Sequence, residues 1–213
     1  MSTAGPTERE LEPLSLDFYR RDAAEVARDL LGRYLSRSVD GSRRAVVRIV
    51  ETEAYLGEID AASHAAGGRR TARTETMYRA GGIAYVYLIY GMYHCLNVVT
   101  GPEERASAVL VRAGEPIEGV DWMAENRGAR PPFVPGQLGG GPGKLCMALA
   151  IDRSHDGVPL DRGEIVLSRG RPTQPDRIAR GPRIGVDYAG EAASWPLRFG
   201  IAGHPEMSRP RLE

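Results

Sequence analysis

From Val47 to Tyr55 the chain can be laid out as a strand in which alternate side chains share one face: Val47, Ile49, Glu51, Glu53 and Tyr55. That face turns from apolar to acidic along its length, which is costly unless the carboxylates are used. Other patterns place the elements around this strand. Asp22 predicts a capped helix over AAEVARDLL, with Ala24, Ala27, Leu30 and Leu31 on one side and Gly32 ending it. YLSRSV reads as a strand, and Asp40 and Gly41 form a hairpin turn into the long strand. From Gly57 to Gly82 the chain is polar and punctuated by glycine, with one short helix expected near TETMYR. IAYVYLIY, YHCLNVVT and ASAVLVRAGEP then predict an antiparallel meander. Helices are expected over IEGVDWMAEN and, after GGGPG, over KLCMALAI, and further short strands at EIVLSRG, RIGVDY and WPLRFGI. The sum is an α+β fold in a single domain over residues 15–203, with loosely ordered tails at 1–14 and 204–213.

Composition narrows the class. At 213 residues, 42% hydrophobic and 26% charged, the chain has enough apolar material for one substantial core. Its longest apolar run, IAYVYLIYGMY, is too short to span a bilayer, and MSTAGPTERELEP lacks the cationic and apolar regions of an export signal, so a cytoplasmic protein is expected. Cys95 and Cys146 have no metal-ligand spacing, and neither a zinc site nor a disulfide framework is predicted. A net charge of zero argues against a broad basic footprint for nucleic acid. The distribution qualifies this, because Arg69, Arg70, Arg73 and Arg79 crowd one loop window against the single acid Glu75. Composition favours a solvated loop there, and the functional alternative is contact with phosphates.

The candidate chemistry begins at Glu53, a carboxylate beside an aromatic on a strand that runs out into a loop, which suits a base at the rim of a pocket. For an isolated Glu-x-Glu an ion pair with arginine is the blander reading. Tyr85, Tyr87, Tyr90 and Tyr93 shift the balance. With His94 and Asn97 nearby, they suggest a stacking platform for flat rings. His64 lies on the loop nine residues beyond Tyr55. There is no GxSxG, Walker loop, HExxH or HxE with PCxxC, and GGGPGK reads as a helix-opening turn.

The runs ARDLLGRYL, RIVETEAYLGEIDAASHA, GGRRTAR, YVYLIYGMYHCLN, AVLVRAGEP, GPGKLCMALAI and RIGVDYAGEAASWPLRF, spanning Ala27 to Phe199, resemble the alkyladenine (3-methyladenine) DNA glycosylase family of the mammalian type. The resemblance implies a single mixed domain with a curved antiparallel sheet flanked by helices. It also implies base-excision repair: alkylated purines such as 3-methyladenine and 7-methylguanine, and with less support hypoxanthine, are flipped from duplex DNA and their N-glycosidic bond is hydrolysed by a Glu-activated water. It places the general base on Glu53, aromatic walls on Tyr55 and Tyr87, a pocket histidine on His64 and the exclusion of guanine on Asn97. An arginine beside the water falls on Arg112, and a wedge entering the minor groove on Tyr90. Further DNA contacts fall on Arg69, Thr71, Met77, Met92 and Tyr93, whereas Glu51 is a supporting acid. A monomer acting on double-stranded DNA with damaged purines is implied, without cofactor, metal or membrane. The alternatives are a noncatalytic damage- or RNA-binding module, a lyase using Lys144, the only lysine, and a free-nucleoside hydrolase.

Overall fold

A computed structural model describes residues 5–213. The chain forms α1 (Leu16–Tyr19), α2 (Ala23–Asp29), β1 (Tyr34–Val39), β2 (Arg43–Tyr55), β3 (Ala84–Ile89), β4 (Tyr93–Thr100), β5 (Ser107–Glu118), α3 (Val120–Arg127), α4 (Pro142–Ala148), β6 (Ile165–Ser168), β7 (Ile178–Gly181) and β8 (Arg198–Ile201). This is the expected α+β arrangement: one antiparallel sheet in the order β3-β4-β5-β2-β1-β6, not closed into a barrel, with helices against it. β2 is its spine. One edge pairs with β5; the other pairs first with β1 and then, from Glu51 to Glu53, with β8, which also carries β7.

The alternation along β2 is interrupted. Its register against β5 shifts between Ile49 and Glu51 and again between Glu51 and Thr52, bulges that bend a strand and re-aim its side chains. Val47 and Ile49 therefore join the main core with Ala54, whereas Tyr55 packs into separate aromatic and alanine clusters. The acidic pair follows a break in the strand and does not simply continue the apolar face.

The two sheet faces divide the core. Val86, Leu96, Val98, Val109 and Val111 pack with Val26 and Ala27 of α2 and Leu145 of α4. Tyr85, Tyr87, Cys95, Ala108 and Leu110 face the other way with Met77. The Asp22 cap forms as expected, its carboxylate accepting from Ala24 N–H at 2.8 Å. The buried stripe of α2 centres on Ala23, Val26 and Ala27, with Ala24 only partly buried.

Three boundaries differ from expectation, each for a local reason. Ile117 and Glu118 extend β5, because Gly119 takes φ +73° where a Cβ would lie 2.2 Å from the Arg44 carbonyl oxygen, and the helix starts after it. RIGVDY is not a strand. β7 stops at Gly181 before Pro182, which has no N–H for the ladder, and residues 182–186 form a turn leading to a 3-10 segment at Asp187–Ser194. The tails, expected to be loose, are docked where they are described: Pro13 bridges Ser168, Leu14 is buried, and Met207 and Ser208 are buried against the sheet.

Candidate active site

A cavity of about 460 Å³ opens on the aromatic face of the sheet. Tyr55, His64, Tyr85, Tyr87 and Met77 contribute its walls, and Asn97, Leu110 and Arg112 lie at its buried end. Tyr90 and Tyr188, 80% and 72% exposed, stand at its mouth with Tyr93, Pro142 and Gly143. Most of these side chains come from β2–β5, a frame rigid enough to hold them in place.

Glu53 is fully buried behind this wall. Its Oε1 accepts from Ile184 N–H at 2.8 Å, while Oε2 accepts from the Tyr55 hydroxyl at 2.9 Å and lies 3.3 Å from an Arg112 guanidinium nitrogen. A carboxylate offers about four acceptor positions, so these two hydrogen bonds and the Arg112 ion pair leave room for a further donor. Burial opposes the charge of Arg112, but Glu53 and Glu51 outweigh it and raise its pKa. Burial and the nearby Glu53 carboxylate push the Tyr55 phenol well above its ordinary range, so it remains a neutral donor.

Glu51 faces away from the cavity. It is fully buried among Arg112, Arg198 and Ser208, with every contact an N–H or O–H donated to it. No exposed or reactive position remains on it.

His64 is fixed from both sides. Its Nδ1 lies 2.9 Å from the Tyr85 hydroxyl and its Nε2 lies 3.3 Å from Arg73. Arginine can only donate, so Nε2 accepts and the proton of the neutral ring sits on Nδ1. Burial, with Arg73 and Arg69 adding repulsion, lowers the His64 pKa from 6.5 to about 4. The ring meets Tyr87 edge-on at 4.6 Å between centroids. The pocket therefore presents aromatic faces and a neutral imidazole, with the Arg73 guanidinium 5.0 Å over the Tyr87 ring.

Asn97 is buried on β4 and its amide nitrogen donates to the Tyr85 carbonyl at 3.1 Å. Met77, expected as a DNA contact, is 2% exposed and lines the cavity. Tyr90 and Met92 are strongly exposed at the tip of the β3–β4 hairpin, and Tyr93 is 40% exposed. Arg69 and Thr71 lie outside the main cavity. They line an adjoining recess with Arg73 and Thr74, which shares Ser63, His64 and Tyr188 with it. Lys144 donates to the Gly136 carbonyl and does not line the cavity, which leaves the lyase alternative without its amine.

The sequence reading missed the 183–188 segment. Arg183 is buried, pairs with Asp60 at 2.8 Å, donates to the Ala54 carbonyl and sits 4.8 Å over the Tyr55 ring. It thereby ties the end of β2 to the turn whose Ile184 N–H holds Glu53. A backbone donor leaves no signal in residue type; Gly185 within RIGVDY, at φ +75°, was the only hint of a turn.

A family model described as methylpurine-DNA glycosylase matches residues 17–205. The chain belongs to that family. It is thus a DNA glycosylase, a hydrolase of N-glycosyl bonds in DNA repair. A Bacillus cereus relative is 46% identical over 199 residues, covering 90% of this chain and 97% of its own length. A Clostridium beijerinckii relative is 44% identical over 203 residues, covering 92% and 98%. Both carry the provisional name 3-methyladenine DNA glycosylase. Among the described residues no helix is long and apolar enough to cross a membrane.

Proposed function

We propose that this family member removes alkylated purines, 3-methyladenine and 7-methylguanine foremost, from duplex DNA with a water activated by Glu53. The observation that carries the reading is the juxtaposition of an aromatic cavity with a buried carboxylate. Tyr55 and Tyr87 line a space of about 460 Å³ that Arg112 also lines, and Glu53 lies directly behind that lining, 3.3 Å from Arg112 and hydrogen-bonded to Tyr55 and Ile184.

A base stacked in a duplex is unreachable and must rotate out, at a cost of a few kcal/mol. Tyr90, exposed at a hairpin tip beside the cavity mouth, has the size and position to fill the gap left in the stack. The extruded base would lie between Tyr55 and the His64–Tyr87 wall. Alkylation at N3 or N7 makes a purine cationic, and stacking a cation on these rings contributes roughly 1 kcal/mol or more once water is excluded. Neutral His64 adds no repulsion. Asn97 would oppose the exocyclic amine of guanine, a penalty that the cationic ring of 7-methylguanine offsets by stacking and that neutral guanine does not.

The chemistry then needs one base and no acid. Water attacks C1′ of an oxocarbenium-like sugar and gives up its proton to Glu53 as the C1′–N9 bond breaks. The bonding electrons return to the cationic purine, which leaves neutral. Glu53, with only two hydrogen bonds, would accept from that water, and Arg112 would orient it. The site is assembled within one chain, which supports action as a monomer.

The test is a panel of duplexes, each with one modified purine, scored for free base and for the abasic site. Release of 3-methyladenine and 7-methylguanine is expected. Tight binding to these duplexes with no base released would instead support a damage-binding module.

A further inference from the structure

The C-terminal segment takes part in the site, although the family match ends at residue 205. We propose that Ser208 is a positioning residue, one that fixes the Arg112 guanidinium against Glu53 by accepting one of its N–H groups while its own proton is held by Glu51. The inference rests on the roles of Glu53 and Arg112 given above.

Each nitrogen of Arg112 has its own partner. One terminal nitrogen lies 3.3 Å from Glu53, Nε donates to Glu51 at 3.1 Å, and the other terminal nitrogen donates to Ser208 Oγ at 3.3 Å. The Ser208 hydroxyl has one proton, and that proton is committed. Oγ donates to Glu51 Oε1 at 2.8 Å, which leaves its lone pairs for Arg112. The Ser208 backbone N–H donates to the other Glu51 oxygen at 2.8 Å. Arg198 completes the set, with Nε 2.6 Å from Glu51 and a terminal nitrogen bonded to the Pro210 carbonyl.

Glu51, Glu53, Arg112 and Arg198 form a buried group of two positive and two negative charges, each at most 7% exposed. Within such a group the plane of Arg112 is set by where its three donors are accepted, and Ser208 accepts one of them. Without that acceptor the guanidinium can turn about its Nε–Glu51 contact. Glu53 and its water would then lose their orienting partner, while the aromatic walls and the wedge remain intact. The loss should fall on the chemical step and spare DNA binding.

The experiment uses the full chain with Ser208→Ala, which keeps the backbone N–H on Glu51. Single-turnover base release from a 7-methylguanine duplex is expected to slow by about ten- to hundredfold, the worth of one hydrogen bond to a charged group. Affinity for a duplex with a stable abasic-site analogue should stay within about twofold. Ser208→Thr, which keeps the hydroxyl, should recover most of the lost rate. In an Arg112→Lys background, Ser208→Ala should cause little further loss, because the partner it acts through is gone. An unchanged rate in Ser208→Ala overturns the proposal. Parallel losses of rate and affinity, or full additivity with Arg112→Lys, overturn it too, since each marks a purely structural role. If Glu53→Gln keeps full activity, the reading of the site itself fails, an outcome distinct from these.

Discussion

Glu51 and Glu53 are two positions apart, equally buried and used differently. Glu51 accepts four hydrogen bonds from Arg112, Arg198 and Ser208, whereas Glu53 accepts two, from residues that line the cavity, and pairs with Arg112. The strand's alternation identified the pair. It could not divide their roles, because the partners of Glu51 come from β5, β8 and the C-terminus, far away in sequence. Ile184 was invisible for a different reason: it acts through a main-chain N–H that any residue type supplies. His64 carries a pH prediction at this scale. Its pKa falls from 6.5 in the unfolded chain to about 4 in the fold. Between those values the unfolded state takes up a proton that the folded state refuses, so its contribution to stability is full above pH 6.5 and declines as pH falls toward 4. Urea midpoints for the parent protein and His64→Gln should therefore show a shallower loss in the variant between neutral pH and about pH 5. Identical slopes would remove His64 as a neutral, half-buried wall.

The β3–β4 hairpin shows an element shaped against its own stability. Tyr90 and Gly91, at φ +54° and +68°, are the central residues of a turn closed by Met92 N–H on the Ile89 carbonyl, a turn that favours Asn-Gly. A tyrosine in the left-handed region costs about 1 kcal/mol or more, and strain of this kind concentrates at functional positions. Tyr90→Asn should therefore raise the denaturant midpoint while slowing excision from duplex DNA. A variant that is stabilised yet processes duplex at the parental rate would refute the wedge. Apolar runs bounded by turns were legible: β1, β3 and β4 fall where those runs put them, and β5 continues two residues further. The errors lie where backbone geometry decides. Bulges in β2, the left-handed Gly119 before α3 and Pro182 after β7 all broke patterns that looked continuous in residue type.

Over the whole molecule, 28 basic and 28 acidic residues cancel, yet their placement is uneven. Pairs such as Arg44–Glu118 and Arg171–Glu10 neutralise the surface away from the site. Among the described residues, no carboxylate lies within 4.0 Å of Arg69 or Arg73, which line the recess next to the cavity. DNA affinity should then rest on a small number of phosphate contacts. The logarithm of affinity should fall with the logarithm of salt at about −0.9 per contact, and Arg69→Ala should reduce that slope by about one. An unchanged slope would place the contact elsewhere. The single α+β domain was legible from length and pattern. The docking of 204–213 was not, since HPEMSRPRLE has no periodicity and its anchor is the Ser208–Glu51 contact. At this scale β2 and the turn at 183–186 hold Glu53 directly behind the lining of the aromatic cavity. The most direct test is single-turnover release of 7-methylguanine by Glu53→Gln, with binding to an abasic-site analogue measured on the same protein. Base release should be lost and binding kept; excision at the parental rate would contradict the account.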